Sequence, residues 1–257
     1  MYFSYEYHDE NMPFASMAKN HYHINTTEIY YLEKGECRYF IEGKTYRVMA
    51  GDIVILPKNV IHKTTYKAPY SRKIINFSDD VMPEYWKDTY KSLIYVYRNY
   101  DIQGELKAIF KRIHNEYTSP AEYSKDILIL LAHELFYLLA RNENKADSDI
   151  YSSPYVAEST RYILENFSED VTLFSLAKLM AVSPEHLSRV FKKDTGLGFN
   201  EYLNLVRLRN ADEMLRSDTK MTISQIAAAC GFNDSNYFSD KFKGIYGVSP
   251  LKYKKNN

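Results

Sequence analysis

The segment from Leu173 to Pro250 contains one pattern twice, and this constrains the chain more than any other feature. The first copy runs from Ser175 to Gly196 and the second from Gln225 to Gly247. Ala177 and Ala227 stand 50 apart, whereas Leu187/Phe238, Phe191/Phe242, Lys192/Lys243 and Gly196/Gly247 stand 51 apart. One residue has entered between them, at the turn, where an insertion is tolerated best. Two units are too few for a solenoid. Each reads as a short helix, a tight turn and a second helix, the pattern that places its second helix in the DNA major groove.

Local signals support both copies. Thr172 and Thr222 stand where helix N-caps are needed. Ser183, Pro184 and Glu185 form an N-cap, a first helical position and a carboxylate at the positive end of the helix dipole. On the second helix of the first unit, Leu187, Val190 and Phe191 share one face and are candidate core. Glu185, Ser188, Arg189, Lys192 and Lys193 project outward. Outward residues near the N-terminus of such a helix reach base edges, so Arg189 is placed for guanine and Glu185 for a cytosine amino group. Lys192 and Lys193 lie later and suit phosphates. A long amphipathic helix from Phe199 to Arg216 holds the two units apart at a fixed distance.

In the second unit Gly231 and Asn233 serve the turn. Phe238, Phe242 and Ile245 face inward, and Ser235, Asn236, Ser239, Asp240 and Lys243 face outward. Asn236 suits adenine. Asp240 stands where the first unit has Arg189, so the second unit is expected to add less affinity. Lys252, Lys254 and Lys255 form a basic tail suited to phosphate contact. The chain as a whole has no net charge, and residues 154–257 carry 14 basic against 12 acidic side chains. DNA affinity must therefore come from where charges sit, contact by contact.

Residues 20–78 read as β-structure: Glu28–Leu32, Cys37–Glu42, Thr45–Met49, Asp52–Leu56, His62–Tyr66 and Arg72–Phe77 are short, β-branched and aromatic. Turn signals at Lys34-Gly35, Glu42-Gly43-Lys44, Ala50-Gly51 and Pro57-Lys-Asn59 separate them, which suggests a barrel or jelly roll. Residues 81–142 read as helical, with Leu106, Ile109, Phe110, Ile113 and Tyr117 at helical spacing and a second helix over 121–141. That second helix is apolar nearly all round, so a face of it is available for a dimer interface or for burial within one chain. Asn142–Pro154 is polar and aperiodic and reads as a linker. The expected division is 1–98 sensing domain, 99–142 helical pair, 143–153 linker and 154–257 DNA-binding domain.

His21, His23, Glu28 and Gly35, followed by Gly51, Pro57 and His62, have a spacing that resembles the two cupin motifs. Asn59 replaces the glycine of that pattern, and Tyr66 replaces its final asparagine. In metal-binding cupins the resemblance implies His21, His23, Glu28 and His62 as the ligand set, and such a set suits a divalent transition metal. These groups equally suit hydrogen bonds to each other or to an organic ligand, so no cofactor is required. Tyr30 and Tyr39 join His21, His23, Glu28 and His62 as candidate effector-binding residues.

The motif Ile226-Ala, Gly231-Phe, Tyr237-Phe-Ser, Phe242-Lys, Gly247 and Ser249-Pro250, preceded by Leu187-Ser-Arg and Phe191-Lys-Lys, resembles the AraC/XylS family of bacterial transcription regulators. Residues 20–66 are similar to that family's cupin sensor domain. The resemblance implies an α+β chain: a cupin-like N-terminal barrel with a helical dimerisation element, then an all-α domain with two helix-turn-helix units. It implies a cytoplasmic homodimer that binds promoter DNA under control of a small molecule, often a sugar, and that contacts RNA polymerase if it activates. The alternatives are a metal-dependent cupin enzyme or metal sensor fused to a DNA-binding module, and a constitutive architectural binder. No phosphate-binding glycine loop, paired-cysteine zinc motif or His-Glu-x-x-His sequence points to an enzyme. Met1–Glu10 lacks the basic and apolar regions of a signal peptide, and Ile127–Ala140 is too short and polar to span a bilayer. Cys37 and Cys230 read as reduced, buried thiols.

Overall fold

Strand β2 (Thr26–Ile41) sets the plan of the N-terminal unit. Its side chains alternate, as a strand requires. Ile29 and Tyr31 pack with one hydrophobic cluster, Tyr30 and Leu32 with another, and all four are buried. The sheet is thus covered on both faces. The computed structural model describes residues 2–10, 26–78, 81, 95–98, 104–141, 153–217 and 219–256. It divides into two compact units, Met1–Tyr151 and Ser152–Asn257.

The other strands are β1 (Phe3–His8), β3 (Lys44–Met49), β4 (Ile53–Leu56), β5 (His62–Ser78) and β6 (Val96–Tyr97). All pairings described are antiparallel, in the order β1-β5-β2-β4-β6, with β3 also on β2. The first part of β2 pairs with β4 and the last part with β3, while β5 follows both parts on the other edge. Glu42 (φ 45°) and Gly43 (φ 89°) close the β2–β3 hairpin with two left-handed residues, the turn whose twist matches paired strands. Asn59 takes φ 65°, so the left-handed turn survives without the cupin glycine.

Three expectations change. Glu28–Leu32 and Cys37–Ile41 are parts of one strand, with Glu42 in the turn that follows, and His62–Tyr66 and Arg72–Phe77 are likewise parts of one strand. Lys34-Gly35 is a bulge, with register shifts on either side, and not a chain reversal. Gly35 has φ +88°, and a Cβ there would lie 2.6 Å from the Pro69 carbonyl oxygen. Strand β1 lies before the stretch read as β-structure, and β6 falls within the stretch read as helical. Both are edge strands, paired with β5 and β4. Phe3, Tyr5 and Tyr7 alternate with polar residues in β1, whereas the two residues of β6 carry no period of their own.

Helices α1 (Glu105–Thr118) and α2 (Ser124–Arg141) cover one face of the sheet. Tyr31 stacks on Phe110 at 5.0 Å, and Phe77 meets the edge of Phe136 at 4.9 Å. Leu106, Ile109, Phe110 and Ile113 are buried as their spacing requires. Tyr117 ends that stripe but is exposed, with its ring against Tyr5 at 5.6 Å. On α2, Leu128, Leu131, Leu135, Phe136 and Leu139 are buried, whereas Leu130 and Tyr137 are 65% and 49% exposed.

The C-terminal unit contains α3 (Pro154–Asn166), α4 (Leu173–Leu179), α5 (Pro184–Thr195), α6 (Phe199–Arg216), α7 (Ile223–Ala229), α8 (Ser235–Tyr246) and α9 (Pro250–Asn256). Thr172 and Thr222 cap α4 and α7 with reciprocal capping boxes. Ser183 caps α5, and Asp234 caps α8. The first pair of caps is 50 apart and the second 51, so the extra residue of the second unit lies in its turn. Ala181 takes φ 53° in the first turn, and Gly231 takes φ 83° in the second. Arg207 of α6 donates to the carbonyls of Phe167 and Glu169 at 2.8 Å, joining α6 to the end of α3. Phe191 packs on Tyr202, and Phe238 and Phe242 pack with Leu208, Ala211 and Leu215. Burying each phenylalanine contributes about 1.5–3 kcal/mol.

Candidate nucleic-acid interface and effector pocket

Helix α5 separates cleanly into two faces. Leu187 and Phe191 are fully buried, while Glu185, Ser188, Arg189, Lys192 and Lys193 are exposed. The inward residues fix the helix to α4 and α6, which leaves the outward row presented as one surface. Arg189 Nη2 lies 3.4 Å from His186 Nδ1, and His186 in turn meets the edge of Tyr155 at 5.7 Å. A guanidinium restrained in this way loses less side-chain entropy on contact. Lys192 and Lys193 stand in the last turn of α5, where cations also complement the helix dipole.

Helix α8 repeats the geometry with different chemistry. Asp234 Oδ1 accepts from the amides of Asn236 (2.7 Å) and Tyr237 (2.9 Å). Asn236, Asp240 and Lys243 are exposed, and Ser235 and Ser239 are half-buried. The Ser239 hydroxyl donates to the Ser235 carbonyl at 2.8 Å, so it is partly spent within its own helix. Two further residues join this surface. Tyr237 is exposed and accepts from Asn204 Nδ2 at 3.0 Å, and the Lys241 ammonium lies 5.3 Å from its ring. The spacing of four between Tyr237 and Lys241 is the sequence signal for that pair. Lys254 is not part of a phosphate-seeking tail. Its Nζ donates to the carbonyls of Thr219 and Met221 at 2.7 Å, which pins α9 to the segment before α7. Lys252 and Lys255 remain exposed.

In the N-terminal unit, the face turned away from α1 and α2 carries the polar groups. Directly opposed residues of paired strands share a face. Glu28 opposes Asn76, Tyr30 opposes Ile74, Leu32 opposes Arg72, Tyr39 opposes Thr64 and Ile41 opposes His62. Glu28, Tyr30, Tyr39 and His62, four of the expected effector residues, therefore lie on this face, and each is buried. Tyr39 links them. Its hydroxyl donates to Glu28 Oε1 at 3.0 Å, and its ring lies 5.0 Å from Tyr30 and 6.3 Å from His62. The Tyr30 hydroxyl lies 3.6 Å from Cys37 Sγ, and His62 Nδ1 meets the Val60 carbonyl at 2.8 Å. Burial, reinforced by the Glu28 carboxylate, raises the Tyr39 phenol well above its ordinary range, so it remains a donor.

Arg72, Asn76, Thr64 and Tyr66 complete this lining, beyond the residues that the motif spacing picks out. The Arg72 guanidinium lies 5.8 Å from the Tyr66 ring, and Tyr66 stacks on Tyr70 at 4.1 Å. The sequence signal for them is the alternation of β5, taken in register with β2. His21 and His23 lie outside the described residues. Among the described residues no group of three His, Cys, Asp or Glu side chains is arranged to hold a metal ion. Of the expected ligand set only Glu28 and His62 are among the described residues, and both are engaged with protein groups.

The sequence model described as the AraC-like ligand binding domain matches residues 4–140, more than half of the chain. The chain belongs to the AraC family. A helix-turn-helix domain model matches residues 176–256, the span of both units. This AraC-family regulator is 26% identical over 238 residues to the Msm operon regulatory protein of Streptococcus mutans, covering 88% of this chain and 83% of that one. It is 25% identical over 257 residues to the HTH-type transcriptional activator RhaS of Salmonella schwarzengrund, covering 94% and 89%. An apo ToxT variant from Vibrio cholerae aligns over 98% of this chain and 97% of its own, with 17% identity and a TM-score of 0.43. The family's two domains make this chain a DNA-binding transcription regulator under small-molecule control. Among the described residues no helix is long and apolar enough to cross a membrane.

Proposed function

We propose that this regulator is a cytoplasmic homodimer that activates transcription when a carbohydrate occupies the polar face of its N-terminal sheet. The observation that carries the DNA-reading half is the α5 surface, where Arg189 lies exposed directly outside buried Leu187 and Phe191. Arg189 reads guanine, Glu185 and Ser188 contact neighbouring positions, and Lys192 and Lys193 neutralise phosphates. Asn236, Asp240, Ser235, Ser239 and Lys243 of α8 read the second site with less affinity, since Asp240 repels phosphate. The name of the RhaS relative supports activation, which requires contact with RNA polymerase.

The carbohydrate reading rests on the chemistry of the pocket. Glu28, Asn76 and His62 offer hydroxyl-directed acceptors and donors, and Tyr30 and Tyr39 offer ring faces. That mixture suits a polyol better than an apolar ligand. Loading needs no metal. Leu130 and Tyr137, exposed and seven residues apart along α2, supply the dimer contact.

A single titration series tests the proposal. Fluorescence anisotropy with DNA selected by the purified regulator should give operator affinity that shifts with a pentose or hexose. Arg189→Ala should weaken it by about 1–3 kcal/mol. Unchanged affinity in Arg189→Ala removes the reading of α5. Affinity that responds to no sugar, with stoichiometric metal by elemental analysis, favours the metal-sensor alternative.

A further inference from the structure

Strands β2, β3 and β5 carry a second polar face, opposite to the pocket around Tyr39. Arg38 opposes Arg47 on β3 and Thr65 on β5, and Glu36 opposes Lys67 on β5. These side chains line a groove of about 450 Å³. Like charges directly opposed across a sheet repel one another. Here the pair Arg38/Arg47 occurs beside a third cation, Lys67.

Glu36 is the one carboxylate among the described lining residues. It accepts from Arg47 Nε at 3.0 Å and Nη2 at 2.6 Å, and also from Lys67 Nζ. Arg38 has no hydrogen-bond or ion-pair partner among the described residues. Among the described lining residues, three cations stand against one carboxylate, a formal excess of two positive charges. The Arg47 backbone is held in place, because Arg98 donates to its carbonyl and to Asp52 Oδ2 (2.7 Å). Two guanidinium forks, an ammonium and the Thr65 hydroxyl form a donor set matched to a tetrahedral oxyanion. The excess charge selects among oxyanions. A phosphate monoester carries about two negative charges at neutral pH, whereas a phosphodiester carries one.

We propose that this groove binds the phosphoryl group of a small phosphate monoester, as a second effector site separate from the Tyr39 pocket. The proposal rests on the N-terminal unit being a ligand-binding domain. Glu36 acts as the competitor: an incoming phosphoryl group is met first by Arg38 and then displaces Glu36 from Arg47 and Lys67.

Isothermal titration of the full-length chain with glycerol 3-phosphate, dimethyl phosphate and glycerol tests it. Glycerol 3-phosphate should bind saturably at one site per chain, dimethyl phosphate about tenfold more weakly or less, and glycerol not at all. Arg38→Ala, at an exposed position, should weaken binding about tenfold with unchanged thermal unfolding. Glu36→Gln should strengthen it. Lys192→Ala with Lys193→Ala should leave it unaltered, since that basic pair belongs to the DNA-binding unit. No saturable binding, equal affinity in Arg38→Ala, or loss in the Lys192/Lys193 variant overturns the proposal. Operator affinity measured on the same preparation without phosphate separates this outcome from failure of the regulator reading.

Discussion

The Tyr39 hydroxyl lies 3.0 Å from Glu28 Oε1, although the two residues are eleven apart on one strand. A straight strand would separate their backbones by roughly 36 Å, at about 3.3 Å per residue. Strand β2 must therefore fold sharply over itself between them. The bend falls at the bulge around Gly35, and it brings Glu28 and Tyr39 together on one face of the sheet.

Gly35→Ala should destabilise the N-terminal unit. Its Cβ would meet the Pro69 carbonyl at 2.6 Å from a left-handed backbone, and such strain costs about 1–3 kcal/mol or more. Gly244 on α8 has open space where a Cβ would stand, with nothing within 4 Å. There Gly→Ala should stabilise by about 0.5–1 kcal/mol. Urea unfolding of the two variants should move the midpoint in opposite directions.

Tyr39→Phe should cost stability and effector response together. It removes the hydroxyl donor to the buried Glu28 carboxylate, a loss of about 1–3 kcal/mol. His62→Ala removes the ring that stacks on Tyr39. Both variants should retain basal operator affinity in a gel-shift titration while losing the shift caused by effector.

The two recognition helices should respond unequally to charge changes. Lys192→Ala should lower the slope of log affinity against log salt by about one. Asp240→Asn should raise operator affinity, by removing repulsion near phosphate, unless the carboxylate accepts from a cytosine. In that case affinity falls only on sites with that base. Comparing salt slopes on selected and scrambled DNA distinguishes these results.

Both thiols should be inert in the folded chain. Burial pushes the Cys37 thiol up to about 12 and the Cys230 thiol up to about 11, from an ordinary value of 9.0. A raised folded-state value means that the stability contribution is full below pH 9 and is lost as pH rises through 11–12. A colorimetric thiol reagent at about pH 8, below both values, should therefore report no rapid reaction in buffer and two thiols in denaturant.

Leu130→Glu should shift a dimer toward monomer without unfolding it, because Leu130 is 65% exposed in the single chain. Sedimentation velocity across a concentration series reads this directly. Leu135→Glu, at a fully buried position, should unfold the unit instead.

The twin units are legible in the sequence because their information is local. Thr172, Ser183, Thr222 and the spacing of Leu187, Phe191, Phe238 and Phe242 each act within a turn or two of helix, so composition and period suffice. The Asp234 cap is less legible because Asn233 beside it is an equally good turn residue. The role of Lys254 is hidden because its partners, the Thr219 and Met221 carbonyls, are more than thirty residues away.

In the N-terminal unit the sequence by itself marked Glu28 and His62 through the cupin-like spacing, while strict alternation would set Tyr39, eleven residues after Glu28, on the opposite face; the register shifts at the bulge bring them together. Only the tertiary structure decided that Lys34-Gly35 bends one strand instead of ending it, and that β1 and β6 belong to the sheet. A glycine at positive φ serves a turn and a bulge equally well. The distinction depends on whether a distant strand, here β5 with Pro69 beside Gly35, lies along both sides of it.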